Sequence, residues 1–254
     1  IRDRESIVRN VNRKARNLRF FEVGNVYHFD EERYTTESPI KAYQQRYHLA
    51  LWVTGHRVEG NWAHPDEESS FFELKAHVEN VLRRVGLQAG QVVTEASDNN
   101  IFDKGLRMKT RGGKVLVDMG IVNHHVLRRF DIEQPVYYAE IDWTELMKAT
   151  RKNSLLFQEL SKYPAVSRDL ALLVDANVEF AQIEQIARQT EKKLLKQVVL
   201  FDVYQGKNLP EGKKSYAVNF ILQDESRTLT DKAIEAIMQK LMKNLTTKLH
   251  AELR

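Results

Sequence analysis

Cysteine is absent from all 254 residues, which excludes disulfide scaffolds, Cys-ligated zinc and thiol nucleophiles and permits a reducing compartment such as the cytoplasm. Long apolar runs are missing too. None approaches the roughly 18 residues needed to cross a bilayer, so no membrane partner is expected. Charge of one sign is scarce: 39 basic residues stand against 35 acidic ones, a formal net charge of +4. That excess is too small for a dedicated DNA-binding domain, and any nucleic-acid contact must rest on local basic clusters joined to stacking groups. The chain opens at Ile1 without an initiator Met or a signal-peptide pattern, and reads as a fragment of something longer. What is present, 42% hydrophobic and 29% charged residues, is soluble-globular in balance, and the length suits two modest cores.

Residues 1–17 are Arg-rich and read as a polar helix or helix end. Leu18–Phe29 reads as a strand, a turn at Gly24-Asn25 and a second strand, followed by a polar loop over 31–43 and a buried strand over 48–54. Ser70 and Glu73 form a capping-box signature before Leu74, Val78, Val81, Leu82 and Val85 at helical spacing, with Gly86 as the stop. Strands are expected over 92–94, 106–110, 114–121 and 136–141, with Arg111-Gly112-Gly113 turning between the middle two. Periodicity then weakens, and a boundary separates a first domain, 1–156, from a second, 160–254. The second reads as strand 169–174, helix 180–195, strand 198–204, turn 206–212, strand 215–222, helix Asp231–Leu249 and a last edge strand over 251–254. The whole is α+β: an antiparallel sheet carrying helices, then a ferredoxin-like βαββαβ domain.

Chemistry-bearing clusters are few. His124-His125 are adjacent rather than at i, i+4, so they do not share a helix face, and no metal site is expected. Glu31-Glu32 and Asp66-Glu67-Glu68 lie in polar loops, and Gly112-Gly113 before Lys114 lacks phosphate-loop spacing. In the second domain, alternation assigns Leu170, Leu172, Val174, Val199, Phe201, Val203, Tyr216, Val218, Phe220 and Leu222 to a core face. The other face carries Asp169, Ala171, Leu173, Asp202, Tyr204, Ser215, Ala217 and Asn219. It is small or polar with one projecting ring, suited to receive unstacked bases. Tyr204 is the stacking candidate, with Ala171 and Ser215 leaving room beside it. Arg168, Lys213 and Lys214 on the hairpin, and Arg227 are phosphate-contact candidates, while Arg168-Asp169 also admits a purely structural reading as a salt-linked pair.

Tyr163-Pro164-Ala165-Val166-Ser167-Arg168-Asp169-Leu170-Ala171, Leu200-Phe201-Asp202-Val203-Tyr204-Gln205-Gly206, Glu211-Gly212-Lys213-Lys214-Ser215, Arg227-Thr228-Leu229-Thr230-Asp231 and Glu252-Leu253-Arg254 together resemble the ferredoxin-fold anticodon-binding domain of bacterial phenylalanyl-tRNA synthetase β subunits. Leu18-Arg19-Phe20-Phe21-Glu22-Val23-Gly24, Phe71-Phe72-Glu73-Leu74-Lys75 with Val78-Glu79, and Val117-Asp118-Met119-Gly120 resemble that subunit's class II synthetase-like core module. The resemblance implies that Ala171, Tyr204 and Ser215 lie near the anticodon of tRNA(Phe), that the partner is a catalytic α subunit in an α2β2 assembly, that ATP and Mg2+ serve the whole enzyme, and that the location is cytoplasmic. Where the family often has His-Pro-Gly, this chain reads Phe102-Asp103-Lys104-Gly105-Leu106, so no role is borrowed for that loop. Class II activation uses an Arg-x-Glu strand to grip the ATP α-phosphate. Here Phe20-Phe21-Glu22 puts a ring at that place, which implies a noncatalytic copy. Rival readings are a stand-alone RNA-binding or regulatory module and a ferredoxin-like metabolite-binding domain.

Overall fold

The computed structural model describes residues 2–154 and 161–253 and divides the chain into two compact units, Ile1–Leu156 and Phe157–Arg254. The boundary expected between 156 and 160 lies outside the described residues. In chain order the first unit contains α1 (Arg2–Asn12), β1 (Leu18–Phe29), β2 (Tyr43–Thr54), β3 (His56–Val58), β4 (Glu67–Glu68), α2 (Phe71–Arg84), β5 (Val92–Ala96), β6 (Phe102–Thr110), β7 (Val115–Val122), α3 (His124–Arg128), β8 (Val136–Asp142) and α4 (Trp143–Thr150). A six-stranded sheet in the order β1-β2-β8-β7-β6-β5 forms its centre. Every adjacent pair is antiparallel.

Gly24-Asn25 does not break the first strand. Gly24 pairs with His48 and Asn25 with Tyr47 in one unbroken ladder, because cross-strand pairing along the whole of β2 outweighs the turn preference of those two residues. The helix over 71–84 starts and stops as its caps dictate. Ser70 Oγ accepts from the Glu73 amide at 3.3 Å, and Gly86 takes a φ of +83° just beyond the end. The Glu73 carboxylate meets Arg19 at 2.9 Å instead, tying α2 to β1. α4, unmarked by periodicity in so short a segment, begins at an Asp142 cap accepting from the Glu145 amide at 2.9 Å.

One face of this sheet packs Leu49, Val53, Met119 and Ile141 against Leu74, Val78 and Leu82 of α2 and Leu146 of α4. The other packs Leu18, Trp52, Phe102 and Tyr138 against Ile7 of α1 and Leu127 of α3. On that second face Trp52 and Tyr138 stack with centroids 4.0 Å apart. Phe102 lies across two glycines: a Cβ on Gly120 would sit 2.6 Å from the ring and one on Gly105 2.9 Å. Only the missing side chains admit the ring.

The second unit contains β9 (Val166–Asp175), α5 (Phe180–Thr190), β10 (Leu195–Tyr204), β11 (Lys213–Leu222), α6 (Asp231–Leu249) and β12 (Glu252–Leu253). Its strand order is β10-β11-β9-β12, antiparallel throughout, which is the ferredoxin-like arrangement of βαββαβ. α5 and α6 contribute Ile183, Ile186, Ile234, Ile237, Leu241 and Leu245 to a single core with Leu172, Val174, Val218, Phe220 and Leu222.

The expected core set on β10 is corrected. Leu195 and Val198 are buried and Leu200 packs against the core, whereas Val199 pairs with Asn219 and turns away from the core, and Phe201 and Val203 are exposed. Register shifts between Leu195 and Gln197 and between Leu200 and Asp202 reset the alternation. A bulge inserts one residue, so a strict period of two cannot hold along the strand.

Candidate nucleic-acid interface

β11 runs down the middle of the second unit's sheet. Ser215 lies between Tyr204 on β10 and Leu173 on β9, Ala217 between Asp202 and Ala171, and Asn219 between Val199 and Asp169. Directly paired residues point the same way from a sheet, so these three rows make one face. Their strand neighbours Leu172, Val174, Tyr216, Val218 and Phe220 are in the core with the helices. The three residues expected together, Ala171, Tyr204 and Ser215, therefore do share the face away from α5 and α6.

Tyr204 ends its strand half-buried. The loop after it folds back so closely that a Cβ on Gly206 would sit 2.7 Å from the Tyr204 hydroxyl oxygen and 2.8 Å from Cζ. Gly206 thus sets where the ring rests. Gly206→Ala is expected to push the ring aside with little loss of stability, which near-UV circular dichroism compared with the thermal midpoint will read. Ser215 is only 6% exposed, and forms the floor between Tyr204 and Leu173. Asn219 donates to Ser167 Oγ and to Asp169 Oδ1, stitching the far row together. Lys213 belongs to this face by its pairing with Asp175. Its Nζ lies 3.0 Å from Asp175 Oδ1 and 3.9 Å from Glu252 Oε1.

Two of the phosphate candidates are not on this face. Lys214 pairs with Val174, so it points to the helix side. It is 7% exposed, and its Nζ lies 4.7 Å over the Tyr216 ring, a cation–π cover on the core rather than a solvated hairpin lysine. Arg168 pairs with Phe220 and also points away, its Nη1 donating to the Ser167 carbonyl at 3.0 Å. The salt link imagined between Arg168 and Asp169 fails for the same reason: consecutive strand residues point to opposite faces. Asp169 accepts from Asn219 instead.

Arg227 is in the loop between β11 and α6, largely exposed, with Nε 3.2 Å from Asp224 Oδ2. Hydrogen bonds from the Ser226 hydroxyl and amide, joined by Arg227, hold that Asp224 carboxyl below its ordinary range. Sequence reasoning missed exposed Lys207, in the loop that follows Tyr204, and exposed Phe201. The signal for the latter was the unbroken run Val198-Val199-Leu200-Phe201, which cannot alternate between core and solvent.

A family model described as the ferredoxin-fold anticodon binding domain matches residues 161–254, which span this sheet and its helices. A second, described as the phenylalanyl tRNA synthetase beta chain CLM domain, matches residues 4–143. The chain belongs to the phenylalanyl-tRNA synthetase beta chain family. It is 55% identical over 250 residues to the phenylalanine–tRNA ligase beta subunit of Bacteroides thetaiotaomicron, 48% to that of Porphyromonas gingivalis and 35% over 253 residues to that of Syntrophotalea carbinolica. These alignments cover 98% of this chain and 30% of each relative, so it spans about a third of the length of the beta subunits it matches.

In the beta-chain CLM unit, the face carrying the Trp52–Tyr138 stack also holds a charged row. His48 Nδ1 lies 2.8 Å from Glu140 and Arg46 Nη1 3.1 Å from Asp142. Arg107 Nη2 is 3.0 Å from Asp118 and 2.6 Å from Asp98. The hydrogen bond to Glu140 raises the His48 pKa above its ordinary value. Burial opposes this, the charges of Glu140 and Asp142 reinforce it, and Arg46 opposes it. A raised folded-state pKa means stability that is fully present below the unfolded value of about 6.5 and lost as pH rises through the folded value. His48→Gln is therefore expected to cost more stability near pH 6 than near pH 9. Urea unfolding of the variant and the parent at both values checks it.

Proposed function

We propose that this chain is the tRNA-binding C-terminal part of a phenylalanine–tRNA ligase β subunit, which holds the anticodon region of tRNA(Phe) on the open sheet face of its second unit. The observation that carries the reading is the row Tyr204, Ser215, Leu173: a ring at the strand end beside Ser215, with small Ala217 and Ala171 in the next row, on a face that leaves both helices to the core. Sequence-specific readers of single-stranded RNA lay bases on such rings and hydrogen-bond their edges. Lys213 on the same face and Lys207 in the loop after Tyr204 flank it as the cations that position phosphates, while Arg227, beyond the Leu222 end of β11, lies at the far end of the sheet.

The first unit acts as a partner surface for a catalytic α subunit in an α2β2 assembly in the cytoplasm. Support comes from the exposed rings of the β1–β2 hairpin, with Phe21, Tyr27, Phe29, Tyr43 and Tyr47 at its surface, a grouping of the kind that marks protein contacts. ATP and Mg2+ belong to that α subunit. Their fit here is poor, since Phe20 packs into the aromatic belt with Trp52 and Tyr138, and no three His, Asp or Glu among the described residues converge on a metal position.

Phenylalanine should be attached to tRNA only when the full-length β subunit and a separately made α subunit are mixed, and this chain alone should bind tRNA with a marked salt dependence without charging it. Charging by this chain alone, or tRNA binding insensitive to salt, contradicts the reading.

A further inference from the structure

Phe201 is 57% exposed on a strand whose Leu195, Val198 and Leu200 are drawn into the core. Register and burial together fix which way it points. Leu200 pairs with core-facing Val218, and Asp202 pairs with Ala217 on the open face. Counting back from Tyr204, Val203 is on the helix side and Asp202 on the open side. Counting forward from Val198, Leu200 is on the helix side and Phe201 on the open side. Phe201 is therefore the extra residue of a β-bulge and shares a side with one of its neighbours; Leu200 packs on the core and Phe201 does not, and its 57% exposure puts it with Asp202 on the open side opposite Ala217. The bulge thus turns a second aromatic ring onto the face that carries Tyr204.

The spacing of the two rings follows from the partner strand. Ala217 and Ser215 are two residues apart on β11, about 6.8 Å at 3.4 Å per residue. That is about twice the 3.4 Å rise per nucleotide of a stacked strand, so two neighbouring bases on these rings must be splayed from each other. Small Ala217 and Ala171 lie beside the ring in the same row, leaving its face open. Asp202 next to it repels phosphate, which leaves a neutral base as the nucleic-acid group that fits.

We propose that Phe201 is a second stacking platform of the RNA interface, holding the nucleotide adjacent to the one on Tyr204. The proposal rests on the open face being the RNA site. It makes the face a two-base reader of unstacked RNA, with the bulge in β10 as the device that builds it.

The test uses this chain with a stem-loop RNA carrying the anticodon loop of tRNA(Phe), and a series of the same RNA with single abasic positions in the loop. Phe201→Ala is expected to weaken binding of the intact loop roughly 5- to 150-fold, the loss of one stacked base, while Phe201→Tyr retains it. One abasic position, next to the one that silences Tyr204→Ala, should abolish the difference between Phe201→Ala and the parent. Phe201→Leu, apolar but not aromatic, should behave as Phe201→Ala. Unchanged RNA affinity in Phe201→Ala, with Tyr204→Ala still impaired, overturns the second platform and leaves the RNA site standing. Unchanged affinity in both overturns the RNA site itself. Loss of association between full-length β and α subunits in Phe201→Ala, with RNA binding intact, assigns the ring to a protein contact and overturns the proposal.

Discussion

Replacing Tyr204 by Ala is expected to weaken binding of a tRNA(Phe) transcript roughly 5- to 150-fold, the loss of about 1–3 kcal/mol of base–aromatic stacking. The effect falls on binding rather than folding. Tyr204 is the last residue of β10, absent from the buried core and from the partly buried residues packed on it, so its truncation leaves that core intact. Tyr204→Phe should retain most of the affinity, because the π-face and not the hydroxyl carries the stack. Fluorescence anisotropy at one fixed salt concentration reads both variants. A loss in Tyr204→Ala no larger than its loss of folded fraction runs against a stacking role.

Phe220→Ala should remove about 3–5 kcal/mol of stability from the second unit, the usual cost of emptying a large buried aromatic site. Phe220 is fully buried on the central strand, paired with Val198 on one side and Arg168 on the other. For a domain of this size that is a large share of the total. Trp52, Trp62 and Trp143 all fall in the first unit, so tryptophan fluorescence follows that unit alone. The expected result is an early far-UV circular dichroism transition and lost tRNA binding, with the tryptophan transition unmoved. A tryptophan transition that shifts by the same amount contradicts separate cores.

Much of this architecture was written in local chemistry. Ser70 and Gly86 bracket α2, Gly113 turns the β6–β7 hairpin with a φ of +83°, and Thr230 caps α6 by accepting from the Ala233 amide. Each is a short-range device that a sequence displays directly. The errors share a different origin. Gly24-Asn25 has turn chemistry, yet the whole length of β2 pairs across it. Phe201 alternates like a core residue, yet a bulge places it outside, and Val203, on the helix side beside Tyr216, is left exposed near the strand end. Lys213 and Lys214 look equivalent beside a turn, yet one strand position sends one to an ion-paired corner and the other over Tyr216. Ladder register and bulges are properties of paired strands, and a single strand's residues do not state them. The candidate face survived because Ala171, Tyr204 and Ser215 lie on segments whose alternation the bulges leave in phase.

The most direct measurement is a double-mutant cycle on tRNA affinity, combining Tyr204→Ala in the protein with an abasic anticodon position in the tRNA. If the open face holds anticodon bases, each change alone weakens binding, and for one position the two together weaken it no further than either does alone. Losses that add in full at every anticodon position would show that Tyr204 and the anticodon do not meet.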